Sequence, residues 1–252
     1  MKKDIDKEIA QRCKELGFMK RKYNFYKPLT SSVWAILGFG CASFRQPGHF
    51  FINVLIGVFN KDVDDIYSKL TGYSGLKYMQ PTIGKQLGYL MPVNFFYEWD
   101  IVNDADNTEQ FDSIFNNIQK YGYPYQEKMS KFDNLFEAFY HRDSGILNEG
   151  REKTLPILYY MKGEKEKGIK FIQETIERRS KRPTDEELLG GRSKENAIIL
   201  RAGEGPKLTA DDMKKMLKNL PSGGSIEMVG SGCNGNVDPS YLEFAKRFVL
   251  LP

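Results

Sequence analysis

Histidine, cysteine and tryptophan are scarce in this sequence, with two, three and two copies among 252 residues, and the first two shortages narrow the chemistry open to it. The cysteines, Cys13, Cys41 and Cys233, are odd in number, far apart and form no CxxC pair. That argues against a disulfide framework or a zinc knuckle and for a reducing, cytoplasmic compartment. Neither His49 nor His141 neighbours a serine or cysteine in a nucleophile motif, so no catalytic residue is assigned. Long apolar runs are missing as well: none is long enough to cross a bilayer. The opening Met1-Lys2-Lys3 leads into Asp4, Asp6 and Glu8 instead of the apolar segment of a secretory signal. No membrane partner is expected. A net charge of +4, mixed in sign along the chain, gives only a weak general attraction for nucleic acid.

What is present is a core. With 40% hydrophobic residues, 17 Phe and 14 Tyr, the composition is far from that of a disordered chain. Ile5, Ile9, Cys13 and Leu16 recur at helical spacing and Gly17 is placed as a stop, which predicts an opening amphipathic helix. Two β-rich stretches follow, Val33 to Phe44 and Phe50 to Phe59, joined through Pro47-Gly48 as a hairpin. In the second, Phe50, Ile52, Val54, Ile56 and Val58 share one face and are expected to point into a single core. Lys61 to Leu70 reads as a short helix, and the alternation Val93, Phe95, Tyr97, Trp99, Ile101 as another strand, for an antiparallel sheet of four or five strands.

From Asn107 the period changes to that of helices. An Asn107-to-Gln110 capping pair precedes Phe111, Ile114, Phe115 and Ile118, and Gly122 is read as the end of that run. Pro124 opens the next helix, with Met129, Phe132, Leu135, Phe136 and Phe139 inward; two more helices follow, split by Gly163. Ser180 to Glu195 has the composition of a linker. Beyond it, Asn196 to Arg201 and Ile226 to Val229 read as strands, Leu208 to Leu220 as a helix, and Pro239 as the start of a last helix. The fold class is therefore α+β: an N-terminal antiparallel sheet with packed helices (residues 1–105), a central helical segment (106–180) and a small C-terminal α/β unit (181–252).

Three features carry possible chemistry. Gly230, Gly232 and Gly235 spell GxGxxG between a predicted strand and helix, where backbone amides can cradle a phosphate. A dinucleotide fold, however, needs a further strand and an acidic residue about 20 positions on, and the sequence given stops soon after one helix. Glu98 and Asp100 lie two apart on a predicted strand, with Asp104 and Asp106 just beyond; Glu109 and Asp112 complete an acidic segment that holds no Lys or Arg between 98 and 119. Oxygen ligation of Mg²⁺ is one use of such a set, but no basic or histidine partner stands at a defined spacing, and the reading adopted is a largely exposed acidic contact surface for a protein partner. Lys20-Arg21-Lys22 beside Tyr23 and Phe25 combines charge with aromatics as single-strand binders do. If the rings alternate inward, that use is lost. No metal and no cofactor is assigned.

Two stretches carry a resemblance. Leu16-Gly17-Phe18-Met19-Lys20-Arg21-Lys22-Tyr23-Asn24-Phe25-Tyr26, after an amphipathic helix, resembles an uncharacterised bacterial domain family whose members open with a helix, then G-F, a basic run and an aromatic strand. Many of those members lie among immunity genes beside polymorphic toxins. The ending, from Gly230-Ser231-Gly232 to Val237-Asp238-Pro239-Ser240-Tyr241-Leu242-Glu243-Phe244, is similar to the tail of related immunity-type proteins, though Cys233-Asn234-Gly235-Asn236 lengthens the turn. What the resemblance implies is a non-catalytic protein that neutralises a cognate toxin by covering its active site. It supplies no site residues.

Overall fold

The computed structural model describes residues 2–43, 45–72, 80–143, 148–181, 197–201, 225–229 and 237–252, and the chain forms two compact units, Met1–Lys162 and Gly163–Pro252. The first is an antiparallel sheet with helices packed on it. Helix α1 (Lys2–Glu15) buries Ile5, Ile9 and Cys13. It stops at Gly17, whose φ of +81° lets Phe18 N reach Cys13 O at 2.9 Å and Gly17 N reach Lys14 O at 2.9 Å, the two bonds of a Schellman cap.

Strands β1 (Met19–Arg21), β2 (Asn24–Pro28), β3 (Val33–Ala42) and β4 (His49–Asn60) follow as successive antiparallel neighbours. The β3–β4 hairpin pairs Val33 with Asn60 at one end and Ala42 with Phe51 at the other. Of the five residues expected on one face of β4, Ile52, Val54, Ile56 and Val58 are wholly buried, and Phe50, near the strand start, is half-buried. Each of the four contributes about 1.5–3 kcal/mol by leaving water. Asn60 caps α2 (Lys61–Thr71), its side chain accepting from Asp62 N and Val63 N.

Two short strands then share the free edge of β4: β5 (Ile83–Gln86) pairs with Leu55–Val58 and β6 (Trp99–Val102) with His49–Ile52. The sheet thus has six strands, more than the four or five expected. Of the alternation from Val93 to Ile101, only the end is strand. Pro92 and Asn94, at φ +48°, take the chain out of extended geometry, and residues 87–98 form a loop between the two short strands instead.

Helices α3 (Thr108–Asn117), α4 (Tyr123–Ser130), α5 (Phe132–Tyr140) and α6 (Asn148–Met161) complete the unit. Three expectations need correction here. Gly122 is not a stop: at φ −72°, ψ −48° it belongs to a π turn, Ile118–Gly122, that runs straight into α4. Its service is close approach, since a β-carbon there would lie 3.0 Å from Ile56 Cδ1. The helix from Pro124 is two helices, broken where Lys131 turns extended. Asn107 precedes α3 but makes no side-chain cap; its carboxamide is held by Val102 and Ala105, and Asp106 accepts from Thr108 N instead. Over the sheet, buried Gln126 donates to Ile36 O at 2.9 Å and Gly57 O at 3.3 Å.

The second unit holds α7 (Lys165–Ser180), the parallel pair β7 (Ala197–Arg201) and β8 (Ser225–Val229), and α8 (Pro239–Val249). Helix α8 is capped by Asp238 and buries Tyr241, Phe244, Ala245 and Phe248; Arg179 of α7 lies over the Tyr241 ring. Of the expected linker, Ser180 to Glu195, Ser180 is instead the last residue of α7, and 182 to 195, the expected helix from Leu208 to Leu220, and Gly230, Gly232 and Gly235 lie outside the described residues.

Candidate functional site: the acidic segment

Strand β6 alternates. Trp99 and Ile101 are buried, and the Trp99 indole donates to Ser113 Oγ at 3.1 Å. Glu98 and Asp100 therefore point the other way, toward Arg45 and His49. Arg45, on the β3–β4 connection, forms an ion pair with Glu98 and lies over the Phe51 ring. His49 Nδ1 is 2.9 Å from both oxygens of Asp100, and Gln46 Nε2 is 2.8 Å from His49 Nε2. A carboxylate only accepts, so Nδ1–H donates to Asp100 and the outer nitrogen accepts from Gln46. Such an Asp–His pair can orient a general base, but its lone pair is already engaged by the amide. The expected exposure of Glu98 is corrected as well: its side chain is only 11% exposed, because the paired hairpin closes over it.

Beyond the strand the surroundings open. Asp104, at φ +60°, is exposed and accepts from Asn103 Nδ2 at 2.7 Å. Asp106 is exposed at the start of α3, where Thr108 N and Thr108 Oγ1 donate to it at 3.0 and 2.6 Å. Those bonds hold its carboxyl below the usual carboxylate range. The four expected contact residues accordingly do not form one site: Glu98 and Asp100 sit together against Arg45 and His49, and Asp104 and Asp106 lie at the far end of β6.

Asp104 instead joins two acids from the start of the chain. Asp4 and Glu8 of α1 line, with Asp104, a cleft of about 390 Å³ floored by Ile5, Ile101 and Phe111. Lys7, 3.8 Å from Asp4, and Arg12, one turn on from Glu8 and binding Glu8 at 2.6 Å and Asp112 at 2.5 Å, limit the negative field. The bond Arg12 donates to Glu8, ahead of the one it donates to Asp112, raises the guanidinium's affinity for its proton. An apolar floor with a carboxylate rim suits the aliphatic stem and charged head of a Lys or Arg side chain.

Sequence reasoning missed Arg45, His49, Asp4 and Glu8. The first two lie 53 and 51 positions from their partners, and no local spacing signals such pairs; only the β4–β6 register, which sets Phe51 opposite Asp100, brings them together. Among the described residues no group of three or more His, Cys, Asp or Glu is arranged to hold a metal ion. No helix there is long and apolar enough to cross a membrane. Burial pushes the Cys13 thiol up to about 12, which disfavours the thiolate. In the basic run, Phe25 is buried while Tyr23 stands 86% exposed at the hairpin tip. Comparison of the chain with protein-family models, curated proteins and solved structures finds no match.

Proposed function

We propose that this is a non-catalytic protein-binding protein, an immunity protein that neutralises a cognate bacterial toxin by occluding its active site. The observation that carries the reading is the cleft that Asp104 lines together with Asp4, Glu8, Ile5, Ile101 and Phe111. Its chemistry is complementary to a basic side chain, and the exposed acids Asp106 and Glu109 beside it extend the negative field that would steer a basic surface toward it. The resemblance of Leu16 to Tyr26 to an immunity-associated family points to the same role.

The test is first whether a large multidomain toxin is encoded beside the gene, and then co-expression with it. Growth is restored by the wild-type chain, and the purified pair associates. Replacing Asp104→Lys together with Glu109→Lys slows association by about tenfold at low salt and flattens its salt dependence, while the thermal melt barely moves because both residues are exposed. A toxin that kills regardless of this chain would sink the neutralising role; unchanged association kinetics would remove the cleft from the interface.

A further inference from the structure

A second cleft, of about 320 Å³, is lined by α2, the residues leading into β5, and α6. Its size falls at the lower end of the range for small-molecule sites, about 300–1,000 Å³. Val63, Tyr67 and Pro81 make much of it apolar, the hydroxyls of Thr82 and Thr154 add polar points, and Asp64 is the only charged residue in the lining. Asp64 differs from the acids beside it. Asp62 is exposed, and Asp65 is exposed and paired with Lys61. Asp64 is half-buried, and among the described residues no side chain forms an ion pair or hydrogen bond with its carboxylate. Nor is it needed as the cap of α2, since Asn60 already accepts from Asp62 N and Val63 N. Burial, ahead of the neighbouring Asp65 charge, holds its pKa above the ordinary aspartate value. A carboxylate partly withdrawn from water and left unpaired is stabilised by any cation that reaches it.

We propose that this cleft binds a small organic amine, its ammonium group on Asp64 and its apolar body against Val63, Tyr67 and Pro81. Charge and lining select this class. An anion would be repelled by Asp64 and its neighbour Asp65. A neutral apolar molecule would cover Asp64 further with nothing to offset the lost hydration. A metal ion would find one carboxylate and no His or Cys in the lining. An ammonium gains the carboxylate, and Tyr67, one turn along α2 from Asp64, supplies the kind of aromatic ring that such groups also favour. A lysine from a protein surface would bring only its unbranched four-carbon stem to the apolar wall; a compact aryl amine buries more of it. The cleft shares no lining residue with the acidic cleft, so amine binding here does not depend on the contact proposed for a protein partner.

Calorimetric titration of the full chain with phenethylamine tests the proposal, with phenethyl alcohol as the uncharged probe of the same shape. We expect the amine to bind with a submillimolar Kd and the alcohol about tenfold more weakly. Asp64→Asn keeps the shape of the side chain and removes its charge; it should abolish the preference for the amine while the thermal melt stays at or above that of wild type. Asp65→Asn, exposed and outside the lining, should leave the amine's affinity unchanged. Equal affinity of amine and alcohol for the wild-type chain, no binding of the amine at millimolar concentration, or an equal loss with Asp65→Asn overturns the proposal. So does tighter binding of N-acetyl-lysinamide than of phenethylamine, which would assign the cleft to a lysine side chain of a protein partner.

Discussion

The two halves of the acidic segment each carry a pair of carboxylates, in opposite surroundings. Glu98 and Asp100, on β6, are faced by Arg45 and His49 from the hairpin paired beside them; Asp104 and Asp106, past the strand end, face solvent. The difference comes from topology. Pairing with β4 carries the first two acids into the reach of side chains more than 50 positions away, whereas among the described residues no strand pairs with the loop at 103–107. A run of acids in a sequence is therefore not a charged surface until its register is known, and here only the far half contributes strongly to the outward field.

The sharpest way to break the comparison is to remove the wedge that holds β6 in place. Ile101 is wholly buried between the two halves and floors the cleft. Ile101→Ala should cost about 2–5 kcal/mol, the usual range for such a cavity, lowering the urea midpoint with little change in slope. A loss below about 1 kcal/mol would mean that β6 is not anchored through this side chain, and the contrast built on its register would fall.

A smaller effect tests the paired half. Arg45 is nearly half exposed while Glu98 is mostly covered, so their coupling belongs with partly solvated pairs. A double-mutant cycle of Arg45→Ala and Glu98→Ala should give a coupling of roughly 0.2–1 kcal/mol. Zero coupling would leave Glu98 no better held than Asp104. A value several times larger would mean that the pair is effectively desolvated and that the hairpin closes over it more tightly than its exposure suggests.

Which features were readable in advance follows the range of the interaction that makes them. The four buried residues of β4, the stop at Gly17, the turn at Pro47-Gly48 and the buried face of α8 all rest on period or local chemistry, and the fold bears them out. The misreadings arise where a tertiary contact overrides a local signal. Gly122 is helical because Ile56 needs room, not because a helix ends there. Val93 to Tyr97 alternates like a strand, but β5 already occupies that part of the β4 edge. The site was legible only as a stretch of acids; the division of that stretch and the contribution of Asp4 and Glu8 depend on contacts spanning much of the first unit.

The least of the expected effects sharpens the contrast at its exposed end. Asp106 is open to solvent yet held below the ordinary carboxylate range, first by the Thr108 hydroxyl and then by the Thr108 backbone N–H. A depressed folded value means that ionised Asp106 is favoured by folding. Its contribution is present at neutral pH, above the unfolded carboxylate range, and is lost as pH falls through the folded value. Followed by the carbon shift of its carboxyl group, Asp106 should titrate below an unperturbed aspartate. Thr108→Val removes the hydroxyl donor at 2.6 Å and keeps the backbone donor at 3.0 Å, so the titration should move up part of the way and no further. An unchanged titration would assign the whole effect to the backbone N–H at the start of α3, where the helix itself favours negative charge. A complete return to the ordinary range would assign it to the hydroxyl, and the acid would then be oriented by one neighbouring side chain and not by the helix.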